Sequence, residues 1–358
     1  MSLCRARARW ALAFCFAFAA IRASDAQDTV VSKALPPVET HGFIQVYYRD
    51  NDPVTKDGFR LRKADLKFNG FISPRLAWRI SFDAGKALAL NTTQTQISDT
   101  ATLTGASVDQ RSRMLQDAAL TMRVNDYLAL DIGQQIVPLS LEGTISSSKV
   151  ETIERTLFIA ERSRAVGLGD VRDIGVSANG LVFEGLEYHV GVFNEAGDGA
   201  GSTTDANDQK TVMARVTYHV PAVPGLQLGG SGGYQPGPGT VYRQRAGSEV
   251  EFVRPWYTLR TETMAARDGA LRRFGWYGLG VLRPIPGVQL SARYDYWDRD
   301  IGAENVLSNA LQKEITGGAS YAFDATAKVA FNLVHQTFPN VPSIPKRVFG
   351  LLAFQAVW

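Results

Sequence analysis

The strongest constraint on the fold is a regular succession of tight and long connections between short alternating segments. Sixteen segments of about ten residues alternate apolar and polar side chains, which is the pattern of strands that cross a membrane as a barrel. The predicted strands cover residues 41–50, 59–71, 75–86, 112–124, 127–137, 171–182, 185–195, 210–220, 225–234, 247–254, 256–265, 273–282, 287–297, 312–323, 325–336 and 346–358.

The connections after even-numbered strands are tight, as at 72–74, 125–126 and 324, whereas most connections after odd-numbered strands are long, as at 87–111 and 138–170. Outer-membrane barrels combine short periplasmic turns with long outer loops, and an even strand count leaves both chain ends on the periplasmic side. We therefore predict an all-β fold, a transmembrane 16-stranded antiparallel β-barrel over residues 41–358. A secreted β-sandwich or propeller is the alternative, although neither would require this regular alternation.

Residues 1–26 are predicted to be a secretory signal peptide. Three arginines precede an apolar stretch of about a dozen residues, which is too short to cross a membrane as a helix. The small residues Ser24 and Ala26 precede the predicted cleavage site, and cleavage after Ala23 is the alternative. Residues 27–40 would then form a short periplasmic N-terminal segment.

Composition excludes several classes of protein. Both cysteines, Cys4 and Cys15, lie in the predicted signal peptide, so the mature chain has neither a disulfide nor a thiolate metal site. Cleavage leaves 34 basic and 34 acidic side chains, so net charge gives no support for nucleic-acid binding. The last strand ends on Trp358, and a terminal aromatic residue resembles the insertion signal of outer-membrane proteins. These features predict a bacterial outer-membrane protein.

Polar side chains on the predicted strands should face the lumen, because the lipid-facing side chains of a barrel are apolar. Sixteen strands leave a water-filled channel. An excess of inward cations would favour anions in such a channel. Alternatively, arginine–carboxylate pairs would simply brace the wall. The basic residues predicted to face the lumen are Lys63, Lys67, Arg79, Arg123, Arg215, Arg260, Arg293 and Lys328.

The connection 138–170 is the third outer loop and a candidate constriction. Loops of this length without strands are uncommon unless they are functional. Its apolar residues predict one short amphipathic helix, and its hydroxyl groups and lysine would suit an oxyanion. The loop would narrow the pore if it folded into the barrel, and a solvated extracellular loop is the alternative. These residues are Val150, Ile153, Leu157 and Ile159 for the helix, and Ser146, Ser147, Ser148 and Lys149 for the anion.

Part of this region resembles a known family. The run IGQQIVPLSLE at 132–142, the serines at 146–148 and the Glu-Arg step at 154–155 are similar to the phosphate-selective porin O/P family. In that family the pattern G-Q-x-K-x-P-[FL]-S-x-E precedes paired serines and a Glu-Arg step. The resemblance extends over nearly all of 41–358 and is most specific at 132–194.

The resemblance implies a homotrimeric porin whose third loop folds inward and which conducts small anions by passive diffusion, with phosphate or polyphosphate as candidate solutes. Lys149 and Arg155, with the serines at 146–148, would bind the anion at the constriction. Ile136 stands where the family pattern often has lysine. A general, non-specific porin is therefore kept as the alternative.

An outer-membrane barrel enzyme is the rival functional class. The histidines are scattered, without an H-E-x-x-H motif, and none lies near the serines at 146–148. A hydrolase would need a serine, a histidine and an acid to meet in space, which the sequence neither shows nor excludes. A structural or adhesive barrel with a plugged lumen is a third class. We predict no catalytic residue, cofactor or metal site, and small anions and outer-membrane lipid as partners.

Overall fold

A computed structural model describes residues 37–51, 57–88, 90–98, 101–108, 114–159, 168–194, 209–236, 242–303 and 310–358. The predicted signal peptide and most of the predicted N-terminal segment at 27–40 lie outside the described residues.

Sixteen strands close into an antiparallel barrel, so the predicted fold class is confirmed. The first strand pairs with the second and with the last, and each other barrel strand pairs with its neighbours along the chain. The strands are β1 (Glu39–Asp50), β2 (Gly58–Ser73), β3 (Leu76–Asp83), β4 (Leu90–Ser98), β5 (Ala101–Val108), β6 (Leu115–Asn125), β7 (Leu128–Ile136), β8 (Arg172–Phe183), β9 (Leu186–Phe193), β10 (Thr211–His219), β11 (Leu226–Pro236), β12 (Tyr242–Val253), β13 (Tyr257–Asp268), β14 (Leu271–Leu282), β15 (Val288–Asp298), β16 (Gln312–Ala322), β17 (Ala327–Thr337) and β18 (Arg347–Val357).

The strands β4 and β5 form a separate two-stranded sheet after a short 3-10 helix at Ala84–Leu88. This hairpin lies inside the connection 87–111, which the sequence predicts to be a loop. Its two strands are rich in threonine, serine and glutamine. Apolar periodicity does not predict these strands because their sequences have no regular apolar alternation, whereas β-branched threonine favours strands without it.

The barrel ends differ as predicted, with one exception. The turns at the periplasmic end are short, as between Ser73 and Leu76. At the opposite end, however, β13 and β14 are joined by a turn of only two residues, because Asp268 pairs with Leu271. The predicted strands stopped early here, at 265 and 273, since alanine and arginine interrupt the apolar alternation.

Side chains alternate between a lipid-facing and an inward-facing surface along each barrel strand. Outward positions expose large apolar groups, such as Ile80 on β3 and Phe331 on β17. Inward positions carry most of the charged residues, as an aqueous interior requires. No helix among the described residues is long and apolar enough to cross a membrane.

The barrel interior also contains an apolar core that the sequence did not predict. Inward side chains of β13, β14 and β15 pack against the loop that follows β7. Strand β14 is apolar on both faces because its inner face is covered by this loop rather than by water. The main contributors are Leu157, Phe158 and Ile159 from the loop, and Met264, Tyr277, Leu279, Val281 and Trp297 from the wall.

The predicted amphipathic helix in this loop is wrong. The described part of the loop contains one helical turn, Leu141–Thr144, whose N-cap Ser140 accepts a hydrogen bond from the N–H of Gly143. Residues 150–159 form bends and turns instead. Two of their backbone N–H groups bond to wall side chains, since the N–H of Ile153 donates to Asn332 and that of Leu157 to Asp295. The N–H of Ile159 donates to the carbonyl of Thr156, which closes a turn. Tertiary hydrogen bonds thus replace the helical ones.

Candidate functional site

The described part of the loop 138–170 is bonded to inward-facing side chains of six strands. It leaves β7 and returns to β8, yet its contacts reach strands on the opposite side of the barrel. The loop segment therefore crosses the lumen and narrows it. The wall residues that bind it are Arg62 on β2, Ser231 on β11, Arg260 and Glu262 on β13, Arg293 and Asp295 on β15, Asn332 on β17 and Gln355 on β18.

Arg260 and Arg293, two of the predicted lumen cations, point inward and hold the loop. Arg260 donates two hydrogen bonds to the carboxylate of Glu151, at 2.8 and 3.0 Å, and one of 2.7 Å to Glu251. Arg293 donates to Asp295 at 2.7 Å and to the loop carbonyl of Glu154 at 2.8 Å. Both arginines are buried under the loop. Their charges are neutralised where they lie, because each is paired with a carboxylate.

Arg155, predicted at the constriction, is buried within the loop and braces it. Its guanidinium donates to the backbone carbonyls of Glu142 and Ile145 and to the hydroxyl of Ser147, the last at 3.3 Å. Its Nε also lies 3.7 Å from the carboxylate of Asp170. These contacts join the two ends of the described loop.

A polar cavity of about 220 Å³ lies between this loop and the wall formed by β2, β3, β6, β7 and β8. It brings together six of the residues predicted as sites, namely Lys63, Lys67, Arg79, Ser146, Ser147 and Arg155. Arg172 and three aspartates complete the charged lining: Asp65, Asp117 and Asp170. Ser148 is not among the lining residues, and its hydroxyl lies 3.1 Å from that of Ser146.

Most cations of the cavity are paired with carboxylates. Lys63 binds Asp83 at 2.8 Å, and Arg79 binds Asp131 at 3.1 Å. Arg172 lies 3.2 Å from Asp170 and 3.4 Å from Asp117. The carboxylates of these pairs are largely buried, so the cations present their remaining donors to the cavity.

Three inward or loop lysines differ from these paired cations. Lys67 on β2, Lys149 on the loop and Lys328 on β17 form no ion pair and no side-chain hydrogen bond with any described residue. Lys149 is exposed, and it lies between Ser148, whose carbonyl accepts a 3.0 Å hydrogen bond from Gln355, and Glu151, which binds Arg260.

The two remaining predicted lumen cations lie on β6 and β10. Arg215 on β10 donates to both carboxylate oxygens of Glu249, at 3.0 and 3.2 Å. Arg123 is exposed close to the end of β6, on the same face as the inward Thr121. The structure thus separates Arg123 and Arg215 from the cavity.

Two cations that contact the loop or line its cavity, Arg62 and Arg172, were not predicted from the sequence. A β-bulge between β1 and β2 leaves Arg62 without a cross-strand residue opposite it on β1, since Gln45 pairs with Lys63 and Val46 pairs with Leu61. The bulge turns two consecutive cations inward. Arg62 then donates to Gln45 at 2.8 Å and to Glu154 at 3.2 Å. The broken alternation at 61–63 is the only sequence signal for it. Arg172, at the start of β8, lines the cavity and is not among the predicted lumen cations.

Ser177 and His189 meet inside the barrel, 3.0 Å apart. The Ser177 hydroxyl donates to the amide of Gln135 at 2.9 Å, and Ser177 is only 2% exposed. This serine is closed to a substrate and its proton is engaged, so the pair does not form a nucleophilic site. No cluster of histidine, cysteine, aspartate or glutamate among the described residues has metal-binding geometry.

Residues 38–242 match the sequence model of the family described as phosphate-selective porin O and P. No curated protein sequence matches the chain. The barrel resembles Pseudomonas putida OprB (TM-score 0.64, 8% identity, 90% of this chain and 94% of that chain covered). It also resembles an anion-selective porin from Comamonas acidovorans (TM-score 0.58, 12% identity, 90% and 99% covered) and the trimer form of Vibrio cholerae OmpT (TM-score 0.58, 13% identity, 91% and 100% covered). At these identities the structural matches show the fold alone.

Proposed function

Because the chain belongs to the phosphate-selective porin O and P family, we propose that it conducts small anions by passive diffusion through the outer membrane. The family and the 16-stranded barrel make the chain a bacterial outer-membrane channel. We propose in addition that the preferred solutes carry negative charge, that no energy source drives their passage, and that the constriction formed by the loop 138–170 selects them.

This proposal rests on a difference in pairing between the lysines and the carboxylates at the constriction, where Asp65 is the one carboxylate of the cavity lining that forms no ion pair with a described residue. The carboxylates that contact the loop are paired with arginines or accept hydrogen bonds from backbone N–H groups. Glu262, for example, accepts hydrogen bonds from the N–H groups of Leu141 and Glu142. Lys67, Lys149 and Lys328 have no such partner among the described residues. An ion pair has a weak field at a distance, whereas an unpaired ammonium attracts anions along a water-filled path.

Oxyanions fit the cavity better than simple halides. Ser146 and Ser147 supply hydroxyl donors beside Lys67 and the guanidinium of Arg172, and phosphate offers several oxygens to such donors. We therefore propose phosphate or polyphosphate as a preferred solute. A general anion porin is the alternative, and Ile136 in the cavity lining supports it because an apolar group there binds no oxygen.

We also propose that three copies of the chain assemble into a trimer. The proposal rests on the family resemblance and on the trimer form of the similarly folded Vibrio cholerae OmpT. Native mass spectrometry of the detergent-extracted protein tests it, with a mass of three chains expected and a monomer contradicting it.

Ion selectivity in planar lipid bilayers tests the main proposal. Under a KCl gradient, the reversal potential should have the sign of chloride-selective conduction, without added nucleotide or proton gradient. Cation selectivity or absence of conductance would contradict it. Addition of phosphate separates the two versions: block of the chloride current supports a phosphate site, and unchanged current supports a general anion porin.

A further inference from the structure

The outer rim of the barrel carries two adjacent arginines on its lipid-facing side. They belong to β13 and β14, whose connection is the two-residue turn Gly269–Ala270, at the end of the barrel that also carries the loop 138–170. Arg267 and Arg272 are direct cross-strand partners in this hairpin, and both are exposed. We refer to Arg267 and Arg272 as the rim arginine pair.

Strand alternation sets the direction of both side chains. On β13 the inward Glu262, Met264 and Ala266 are buried, whereas Ala265 and Arg267 are exposed. On β14 the inward Tyr277 and Leu279 are buried, and Arg272 has the opposite parity. Successive side chains of a strand point to opposite faces, so the rim arginine pair faces the membrane and not the lumen.

Aromatic side chains place the pair at the level of the lipid headgroups. Phe274 and Tyr296 have ring centroids 6.2 Å apart, and Trp276 and Tyr294 have theirs 5.2 Å apart, all on the outward face. Aromatic girdles mark the interfaces of membrane barrels. Arg272 lies two residues beyond Phe274 toward the outer end, just outside the girdle.

Within the described part of the chain, no carboxylate neutralises the rim arginine pair. Asp268 lies next to Arg267 in sequence but faces inward, where it binds Arg245 at 2.7 Å and also pairs with Arg273. Arg267 donates from Nε to the carbonyl of Gly269 at 2.9 Å, which leaves its two terminal nitrogens available. Arg272 makes no side-chain hydrogen bond to a described residue. Like charges directly opposite each other destabilise a strand pair.

We propose that the rim arginine pair binds the phosphate of an outer-leaflet lipid headgroup. A phosphate between two guanidinium groups replaces their repulsion with two charge-assisted contacts, and the planar fork of arginine matches the spacing of phosphate oxygens. Gln244, the cross-strand partner of Arg267 on β12, is also exposed and adds an amide donor. Free phosphate has the same chemistry, but the outward position favours a lipid that carries the phosphate to this depth.

Lipid binding by the purified, detergent-solubilised protein tests the proposal. The probes are diphosphorylated lipid A, the same lipid without its phosphates, and inorganic phosphate, with bound lipid counted by native mass spectrometry. The test variant is Arg267→Gln/Arg272→Gln. The control is Arg75→Gln/Arg254→Gln, which removes the same charge from periplasmic turns. We expect the test variant to bind phosphorylated lipid A about tenfold or more weakly than the wild type, as for loss of hydrogen bonds to a charged group, and the control to bind normally.

Three results would overturn the proposal. The first is equal binding of phosphorylated lipid A by the test variant and the wild type. The second is equal binding of the lipid with and without its phosphates, or its full displacement by inorganic phosphate. The third is loss of oligomers with unchanged lipid binding, which would assign the pair to an interface between copies. If the double variant does not fold, Arg272→Lys keeps the charge without the fork and should show an intermediate affinity.

Discussion

The side chain of Asn332 on β17 accepts a 2.7 Å hydrogen bond from the backbone N–H of Ile153, in the loop that leaves the barrel at β7. Both residues are almost fully buried, at 1% and 2% exposure. The amide of Asn332 also donates to the carbonyl of Phe331, which fixes its orientation. This contact is one of several that join the loop to the wall, so its removal tests how much it contributes to holding the constriction.

Asn332→Ala should loosen the loop without opening the barrel. The substitution leaves the N–H of Ile153 buried and unpaired, at a cost of about 1–3 kcal/mol, so local opening of the loop should become about 5-fold to 150-fold more frequent. Amide hydrogen exchange of the peptide that contains Ile153 should accelerate accordingly. Asn179→Ala is the matched control, since Asn179 is an inward amide that donates to the wall residue Asp131. Unchanged exchange in Asn332→Ala would show that the loop is held elsewhere.

Removal of the three unpaired lysines should abolish the anion preference. Each lysine attracts an anion at contact distance by about 1 kcal/mol in water, so each contributes up to about fivefold to the local anion concentration. In Lys67→Gln/Lys149→Gln/Lys328→Gln the reversal potential under a KCl gradient should move toward that of a non-selective pore. High salt should reduce the difference between variant and wild type, because it screens these charges.

Lys313→Gln is the control for the lysine variant. Lys313 lies on the outward face of β16, 5.8 Å from the ring centroid of Tyr296, so its charge is outside the lumen. Its removal should leave the reversal potential unchanged. An equal shift in this control would mean that selectivity reflects total charge and not the charges at the constriction.

The sequence predicts the barrel because lipid imposes one rule on every strand. Outward positions such as Ile80 and Phe331 must be apolar. The number of strands, and the direction in which each side chain points, therefore follow from the apolar–polar alternation. The β4–β5 hairpin escaped prediction because its strands are polar and belong to a separate sheet, which need not present apolar side chains to lipid. The bulge at Arg62 was not predicted because the position of the extra residue depends on how the backbones of β1 and β2 pair, and not on the type of residue.

The site was less predictable than the wall. Alternation predicted that Lys63, Lys67 and Arg79 face the lumen, but their meeting at one cavity depends on the loop, which is distant in sequence. Whether a cation is paired depends on the loop, and the loop conformation depends on contacts such as that of Asn332. Arg155 illustrates this, because its guanidinium is occupied by carbonyls of its own loop. Local sequence contains no signal for such long-range pairing.

Ile136→Lys should strengthen phosphate binding. Ile136 lines the cavity and is the cross-strand partner of Arg172, so a lysine there would add a cation beside an existing one. The attraction between one further charge and phosphate at about 4 Å is about 1 kcal/mol in water and larger near the protein. Phosphate should therefore block the chloride current at concentrations at least about fivefold lower than in the wild type. Ile136→Met is the control for side-chain length. If both variants respond alike to phosphate, the cavity is not where phosphate binds.

Asp324 in the β16–β17 turn should make barrel stability depend on pH in the acid range. Its carboxylate accepts hydrogen bonds from the hydroxyl of Thr326 and from the N–H groups of Thr326 and Ala327, at 2.7, 2.7 and 2.9 Å, and these lower its pKa below the ordinary value. A carboxylate with a lowered folded pKa stabilises the fold above its unfolded pKa of about 3.9, and this contribution disappears as pH falls through the folded value.

Asp324→Ala should therefore lower the thermal unfolding temperature of the detergent-solubilised barrel at neutral pH, by an amount that shrinks as the solution is acidified below the folded pKa of Asp324. Asp126→Ala, at the β6–β7 turn, is the control, because the Asp126 carboxylate accepts no hydrogen bond from a described residue. Circular dichroism at increasing temperature measures both variants across the acid range. A difference between Asp324→Ala and the wild type that stays constant with pH would show that the turn is stabilised by its backbone geometry and not by the ionised carboxylate.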